Sequence, residues 1–279
     1  MTVPQITIRK LLGCAFAAGL MILCSAPPLA AEELKSVPPR DAGNPLPKLI
    51  SGYEFSPIDV RALQDDDFDN PGFAWVARGE TLWSKMEGTE HKSCMSCHGN
   101  APEVMRGRAA EYPKFYQPAG RVISLEQRIN ICRRGRMGAP EWDYGSDNLL
   151  GMTAYLRLLS RGMPVNVRVD GPAKSAFEKG QAIYNTRMGQ LGMSCALCHN
   201  SHYSSTYGDH VITQGHSNGF PTFHRDAQKF TSLHDQFSAC FRRMKAEPYE
   251  AGSDEYVALE LYLAWRGAGL PLEAPAVRR

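Results

Sequence analysis

Two stretches of the sequence, Cys94–His98 and Cys195–His199, both read C-x-x-C-H. In such a stretch the two thiols lie one helical turn apart and reach the two vinyl groups of one haem, and the adjacent histidine supplies the proximal nitrogen to the iron. We predict covalent haem attachment at Cys94, Cys97, Cys195 and Cys198, with His98 and His199 as iron ligands. A zinc site or a redox disulfide is the weaker alternative, because neither needs a histidine directly behind each cysteine pair.

The first 31 residues are typical of a secretory signal sequence. Arg9 and Lys10 precede an apolar run that is too short to cross a bilayer, and small residues end at Ala31. We expect cleavage there, leaving a periplasmic protein with no membrane span. Export agrees with the haem motifs, because haem is attached to them outside the bacterial inner membrane.

The charge of the 279-residue chain is nearly balanced, with a formal net charge of +2. Without the two basic residues of the signal, acidic and basic residues would be equal in number. No basic stripe is present, which argues against nucleic acid as a partner.

The chain repeats itself from about residue 72. Gly79 and Gly180 each stand fifteen residues before the first cysteine of a motif, and Tyr155 and Tyr262 lie at matching places downstream. We predict an extended arm with little regular structure at 32–71 and two homologous modules at 72–170 and 171–279.

Each module orders its features as a helix, a C-x-x-C-H loop, a middle helix and a terminal helix. This order resembles the class I cytochrome c fold, in which the first and last helices cross at a glycine and an aromatic residue. We therefore predict an all-α fold of two tandem class I cytochrome c-like domains with long loops, crossing at Gly79 with Tyr155 and at Gly180 with Tyr262.

Two cysteines remain in matching positions, Cys132 and Cys240, which follow the proximal histidines by 34 and 41 residues. Cys240 falls on one apolar helix face with Phe237 and Met244, and we expect that helix to end at Pro248. A thiol on a face that covers a haem can bind iron, so we predict Cys132 and Cys240 as the second axial ligands. A plain buried cysteine or a Cys132–Cys240 disulfide are the alternatives.

Basic residues surround Cys240 in the sequence, namely Arg242, Arg243 and Arg225. Cations lower a thiol pKa and hold an anion close, although a solvated basic face is the commoner explanation of such a run. Arg243, three residues after Cys240, is expected to share its side of the helix.

The two haem motifs, the paired distal cysteines and the run from Phe237 to Tyr249 resemble the SoxA family of bacterial thiosulfate oxidation. The resemblance covers nearly all of the mature chain. It implies two covalently bound haem c groups, and it implies that Cys240 ligates the second haem, carries a persulfide and acts as the nucleophile. The family pattern places an arginine one turn before that cysteine, where this chain has Gln236, so the anion-binding residue is open among Gln236, Arg243, Arg242 and Arg225.

The resemblance also implies a reaction and partners. The reaction is that of an L-cysteine S-thiosulfotransferase, which oxidatively joins thiosulfate to a cysteine of a SoxYZ-like sulfur carrier. A SoxX-like monohaem cytochrome would form a heterodimer with this chain and accept the electrons.

Three other functions remain open at this point. A thiosulfate dehydrogenase would form tetrathionate without a carrier, and a dihaem electron carrier would use methionine ligands such as Met137, Met152 or Met244. A dihaem peroxidase would need a five-coordinate haem. A further metal site at the histidines downstream of the second motif also stays open, with ordinary loop residues as the commoner explanation.

Overall fold

The computed structural model describes residues 35–208 and 210–279. The predicted signal sequence therefore lies outside the described residues. The α-helices of the described chain are α1 (Ile58–Asp65), α2 (Phe73–Ser84), α3 (Cys94–His98), α4 (Ala101–Val104), α5 (Leu125–Cys132), α6 (Asp147–Leu158), α7 (Lys174–Asn185), α8 (Cys195–His199), α9 (Leu233–Arg243) and α10 (Asp254–Arg266). The strands are β1 (Lys114–Tyr116), β2 (Arg121–Ile123), β3 (Thr206–Tyr207), β4 (His210–Val211), β5 (Thr222–His224), β6 (Lys229–Thr231) and β7 (Ala276–Arg278).

Two helix pairs form the framework, α2 with α6 and α7 with α10. A β-carbon added to Gly79 would stand 2.2 Å from the carbonyl oxygen of Gly151, and one added to Gly180 would stand 2.0 Å from that of Ala258. The helices can approach this closely only because both positions lack a side chain. Tyr155 and Tyr262 lie against the same glycines, which confirms both predicted crossings.

Serine caps begin the repeated helices. Ser146 accepts a hydrogen bond from the backbone N–H of Leu149 at the start of α6, and Ser253 accepts one from Tyr256 at the start of α10. Ser124 and Ser232 form reciprocal capping boxes at the starts of α5 and α9. Such caps satisfy backbone donors that the first turn leaves free, so local sequence determines where each helix begins.

The sequence predicts an all-α fold. The structure has the helices, and it also contains short strands that the sequence does not predict. The strands are at most three residues long, too short to show the alternating pattern that identifies a strand in sequence. β5 lies between β6, which is antiparallel to it, and β7, which is parallel to it. Phe223, Phe230 and Val277 of this sheet pack into the apolar cluster that surrounds α2 and α6. Strands from 171–279 thus complete the core of 72–170.

The N-terminal arm is more ordered than the sequence predicts. It contains α1, and Val37 forms a β-bridge with Leu49. Leu46 and Leu49 of the arm form a buried apolar cluster with Leu270, which lies near the C-terminal end of 171–279. Burial of these side chains stabilises the arm against that segment. Val60 of α1 is fully buried beside β7.

A buried polar cluster joins the two repeats between α6 and α10. Arg157 Nη2 lies 3.7 Å from Glu260 Oε1, and His234 Nε2 donates a hydrogen bond to Glu260 Oε2 at 3.2 Å. The backbone N–H of Gly252 donates to His234 Nδ1 at 2.9 Å, which keeps the imidazole hydrogen on Nε2. Burial and the nearby Glu260 carboxylate raise the pKa of Glu126. Because buried charges are stable only with well-placed partners, this cluster restricts how the repeats can pack.

Helix α9 ends at Arg243, five residues before the predicted end at Pro248. Met244 caps it, and Lys245 adopts a left-handed backbone conformation with φ of 57°. That conformation stops the helix before the proline is reached.

We predict that Gly180→Ala lowers the free energy of unfolding by about 1–3 kcal/mol, because the added methyl group forces α7 away from α10. Urea unfolding of the purified protein measures the change. Gly135→Ala is the matched control, since a β-carbon there meets nothing within 4 Å and the change should stay within about 0.5 kcal/mol. Equal stability of the Gly180 variant and the parent protein would contradict the close crossing.

Candidate functional site

The two C-x-x-C-H stretches form short helices of the same kind. α3 begins after Ser93 and α8 begins after Ser194, and each serine side chain accepts a hydrogen bond from the backbone three residues later. The two cysteines of each stretch stand one turn apart on one helix, with the histidine as its last residue. The local sequence thus presents two thiols and an imidazole together, as covalent haem attachment requires.

The first cysteine of each stretch packs against an apolar cluster. Cys94 lies against the cluster around α2 and α6, and Cys195 lies against the cluster around α7 and α10. Burial raises the pKa of Cys94 to about 11 and that of Cys195 to about 12. These thiols are therefore neutral at physiological pH. An apolar setting suits the uncharged thioether bonds that join cysteines to a haem edge.

Cys132 and Cys240 occupy equivalent places in the two repeats. Cys132 is the last residue of α5 and interacts electrostatically with Cys94, and Cys240 lies on α9 and interacts with Cys195. Cys198 also acts on Cys240. Each distal thiol thus lies near the C-x-x-C-H stretch of its own repeat.

No disulfide joins any of the six cysteines that the structure describes, so the alternative of a Cys132–Cys240 disulfide does not hold. Within the same described residues, no group of three or more His, Cys, Asp or Glu side chains is arranged to hold a metal ion. No helix among residues 35–208 and 210–279 is long and apolar enough to cross a membrane.

The imidazole of His199 is held in one orientation. Its Nδ1 lies 2.8 Å from the carbonyl oxygen of Thr213, and burial lowers the pKa of the ring, so neutral His199 donates through Nδ1. This leaves Nε2 free as a metal ligand. Gly215, with φ of 70°, lies against the ring, where a β-carbon would stand 2.8 Å from His199 Cγ.

The surroundings of His98 differ. Its ring centroid lies 5.9 Å from that of Trp83, and Trp83 Nε1 donates to the carbonyl oxygen of Gly99 at 3.0 Å. Burial, followed by the positive charge of Arg128, lowers the pKa of His98. His98 is therefore neutral as well, but aromatic packing rather than a main-chain acceptor positions it.

The thiol of Cys240 has one amide and one guanidinium nearby. Gln236 Nε2, one turn earlier on α9, donates to Cys240 Sγ at 3.6 Å. Burial raises the pKa of the Cys240 thiol, and the Arg243 charge and the Gln236 hydrogen bond act in the opposite direction. Gln236 and Arg243 both favour a sulfur that carries negative charge.

The other two predicted anion-binding residues lie elsewhere. Arg242 is roughly 200° around α9 from Cys240, and it lines an open cleft of about 650 Å³ with Ser238 and Lys245. Arg225 forms ion pairs with Asp59 and Asp226. Among the four predicted residues, the structure places Gln236 and Arg243 beside the thiol.

Sequence reasoning missed the buried residues behind His199. Asn200 accepts hydrogen bonds from the hydroxyl of Tyr184 and from Arg266, and Arg266 also donates to the main chain of His199. One signal was present in the sequence, since Arg266 is a single arginine at the end of a long, largely apolar segment. Thr213 carried no signal, because its contribution is a backbone carbonyl.

The donor set fits haem c in both repeats. Each combines two cysteines for thioether bonds, a neutral histidine and a further thiol that lies near the same stretch. Histidine and thiolate are both haem-iron ligands in proteins. The unpartnered Nε of Arg266 in the second repeat is a further buried polar atom next to this donor set.

Comparisons with known proteins agree with this geometry. A family model described as SoxA/TsdA, cytochrome c domain, matches residues 78–165 and 179–272. The chain is 46% identical over 231 residues to the L-cysteine S-thiosulfotransferase subunit SoxA of Rhodovulum sulfidophilum, covering 83% of this chain and 80% of that protein. It is 40% identical over 273 residues to the subunit of the same name from Paracoccus pantotrophus, covering 96% and 93%.

A solved structure is also similar. A chain in the crystal structure of SoxXA from P. pantotrophus superposes with a TM-score of 0.81 at 40% identity, covering 84% of this chain and 88% of that chain. The family model, the similar sequences and the similar structure show that this chain belongs to the SoxA/TsdA cytochrome c family. It therefore carries haem c.

Proposed function

We propose that this chain is the catalytic subunit of an L-cysteine S-thiosulfotransferase, which joins thiosulfate to a cysteine of a sulfur-carrier protein. The observation that carries the proposal is the position of the Cys240 thiol, which lies close enough to Cys195 and Cys198 of the second C-x-x-C-H stretch to interact with them electrostatically. The names of the similar proteins support the same activity.

The proposed cofactors are two haem c groups in two tandem class I cytochrome c-like domains, at 72–170 and 171–279. Cys94 and Cys97 would hold the first haem, with His98 and Cys132 as iron ligands. Cys195 and Cys198 would hold the second, with His199 and Cys240 as iron ligands. A bound haem supplies one-electron redox chemistry next to the thiol.

The proposed reaction forms one sulfur–sulfur bond. The carrier cysteine thiol loses its proton, its sulfur bonds to the outer sulfur of thiosulfate, and two electrons leave the pair. The product is a cysteine S-thiosulfonate on the carrier. Cys240, modified to a persulfide, would act as the nucleophile or sulfur-transfer residue, and Arg243 and Gln236 would hold the thiosulfate anion near it.

The proposed electron acceptor is a monohaem cytochrome of the SoxX kind, bound as a heterodimer. Two electrons leave in the reaction and a haem accepts one at a time, so a relay is needed. The similar solved structure is named as a SoxXA complex, which supports such a partner. The periplasm is the proposed compartment, because export and haem attachment go together there.

A thiosulfate dehydrogenase is the second candidate function, because the matching family model is shared by SoxA and TsdA. That enzyme would couple two thiosulfates to tetrathionate with no carrier protein. Assaying tetrathionate in the absence of carrier separates the two functions. We expect none, and rapid tetrathionate formation would favour the dehydrogenase.

We predict that Cys240→Ala abolishes carrier-dependent thiosulfate oxidation while haem remains covalently attached, because the reacting sulfur is lost. Reduction of the partner cytochrome, followed by its absorbance, measures turnover. Cys132→Ala is the matched control, since it changes the equivalent residue of the first repeat, and we expect most of the activity to remain. Normal turnover of the Cys240 variant would overturn the mechanism.

We predict that Arg243→Ala raises the thiosulfate concentration needed for half-maximal rate by about 10-fold or more, corresponding to the loss of one charged hydrogen bond of about 1.5–3 kcal/mol. Arg242→Ala is the matched control, because Arg242 lines the open cleft on the side of α9 away from Cys240. This substitution should change the thiosulfate concentration needed for half-maximal rate only a little. Steady-state titrations with thiosulfate measure both. An equal effect of the two substitutions would contradict the prediction that Arg243, on the same side of α9 as Cys240, holds the thiosulfate anion.

A further inference from the structure

Arg266, the last residue of α10, is fully buried, with 0% of its surface exposed. Its Nη1 donates to the carbonyl oxygen of Gln214 at 2.9 Å, and its Nη2 donates to the carbonyl oxygen of His199 at 3.4 Å and to Asn200 Oδ1. Gln214 directly follows Thr213, whose carbonyl receives the His199 imidazole hydrogen. One guanidinium therefore holds both the backbone of the proximal histidine and the segment that orients its ring.

The positive charge of Arg266 has no anionic partner among the described residues. Its hydrogen-bond partners there are two main-chain carbonyls and one amide oxygen, and its Nε has none. The ring face of Tyr184, 4.6 Å from the guanidinium carbon, gives partial compensation. Burying an unpaired charge is unfavourable unless a neighbouring group balances it.

We propose that Arg266 is a positioning residue for the second haem, which fixes His199 and stabilises the reduced state of the centre through its charge. The inference rests on the proposed haem attachment at Cys195 and Cys198. Ferric iron, the ring dianion and a thiolate would sum to zero charge, the ionised propionates would add negative charge, and one added electron would make the centre more anionic. A buried cation behind His199 favours that electron, and it offsets the tendency of the thiolate of Cys240 to keep the iron oxidised.

The first repeat has no such residue. Aligning Tyr155 with Tyr262 places Leu159 opposite Arg266, and a leucine can supply neither the charge nor the hydrogen bonds. The cations near the first site are of another kind. Arg133 is paired with Glu87, and Arg128 stacks on an aromatic ring at the half-exposed surface. We therefore expect Arg266 to act on one haem only.

The test is an electron paramagnetic resonance-monitored redox titration of the haem-loaded Arg266→Gln variant. The second haem is identified as the low-spin signal that a Cys240→Ala substitution alters. Arg157→Gln is the matched control, because Arg157 is also buried near the end of a framework helix but pairs with Glu260. Mass spectrometry of haem peptides first counts the attached haems, so that missing attachment at Cys195 and Cys198 counts against the proposed cofactor rather than against this inference.

We expect Arg266→Gln to move the midpoint potential of the second haem to more negative values and to broaden its signal, with the first haem unchanged. No shift, or an equal shift of both haems, would overturn the inference, as would the same selective shift in the Arg157 control. If Arg266→Gln does not fold, Arg266→Lys carries the test. The lysine keeps the charge but cannot reach three acceptors, so the second signal should broaden with little change in potential, and an unbroadened signal would overturn the positioning role.

Discussion

The structure depends on one arrangement, in which the thiol of Cys240 on α9 lies near the short helix α8 that ends at His199. The imidazole of His199 is neutral and points its Nδ1 hydrogen at the Thr213 carbonyl, while Cys240 approaches the cysteines of the same stretch. Each group is positioned by its own helix, α8 for His199 and α9 for Cys240. The remaining features of the fold serve to keep these two helices in place.

Two kinds of contact hold them. At the glycine–tyrosine crossings α2 packs closely against α6, and α7 packs closely against α10. These pairs position the short C-x-x-C-H helices α3 and α8, which follow α2 and α7. Serine capping boxes define where α5 and α9 begin. They therefore determine the positions of Cys132 and Cys240 along these helices. Burial of apolar clusters around both crossings supplies the stabilising free energy, and the polar cluster at Glu260 specifies how the repeats meet.

The sequence predicted the features that repeat or that have fixed spacing. The crossings at Gly79 and Gly180 and the equivalent places of Cys132 and Cys240 follow from matching the two halves of the chain. The short strands and α1 were missed because segments of this length have no periodicity to detect. Helical spacing already favours Arg243 over Arg242 as the residue on the side of Cys240, and in the structure the charge of Arg243 acts on the thiol while Arg242 lines the open cleft.

The sequence shows the asymmetry between the two repeats only in part, because it places Arg266 opposite Leu159 but does not show which groups the arginine contacts. A backbone carbonyl at Thr213 and the buried charge of Arg266 distinguish the second site from the first, and both act through contacts between segments far apart in the chain. The second site combines this stronger support of its histidine with an amide and a guanidinium beside its thiol. These differences fit a division in which catalysis belongs to the second repeat.

The most direct test of the opposed His199 and Cys240 ligands is electron paramagnetic resonance of the oxidised protein, compared with its Cys240→Met variant. The account predicts low-spin histidine–thiolate signals in the parent protein, and it predicts that the variant loses one of them and gains a histidine–methionine signal. Identical spectra of the two proteins, or a parent protein with histidine–methionine signals only, would show that the Cys240 sulfur does not bind the iron.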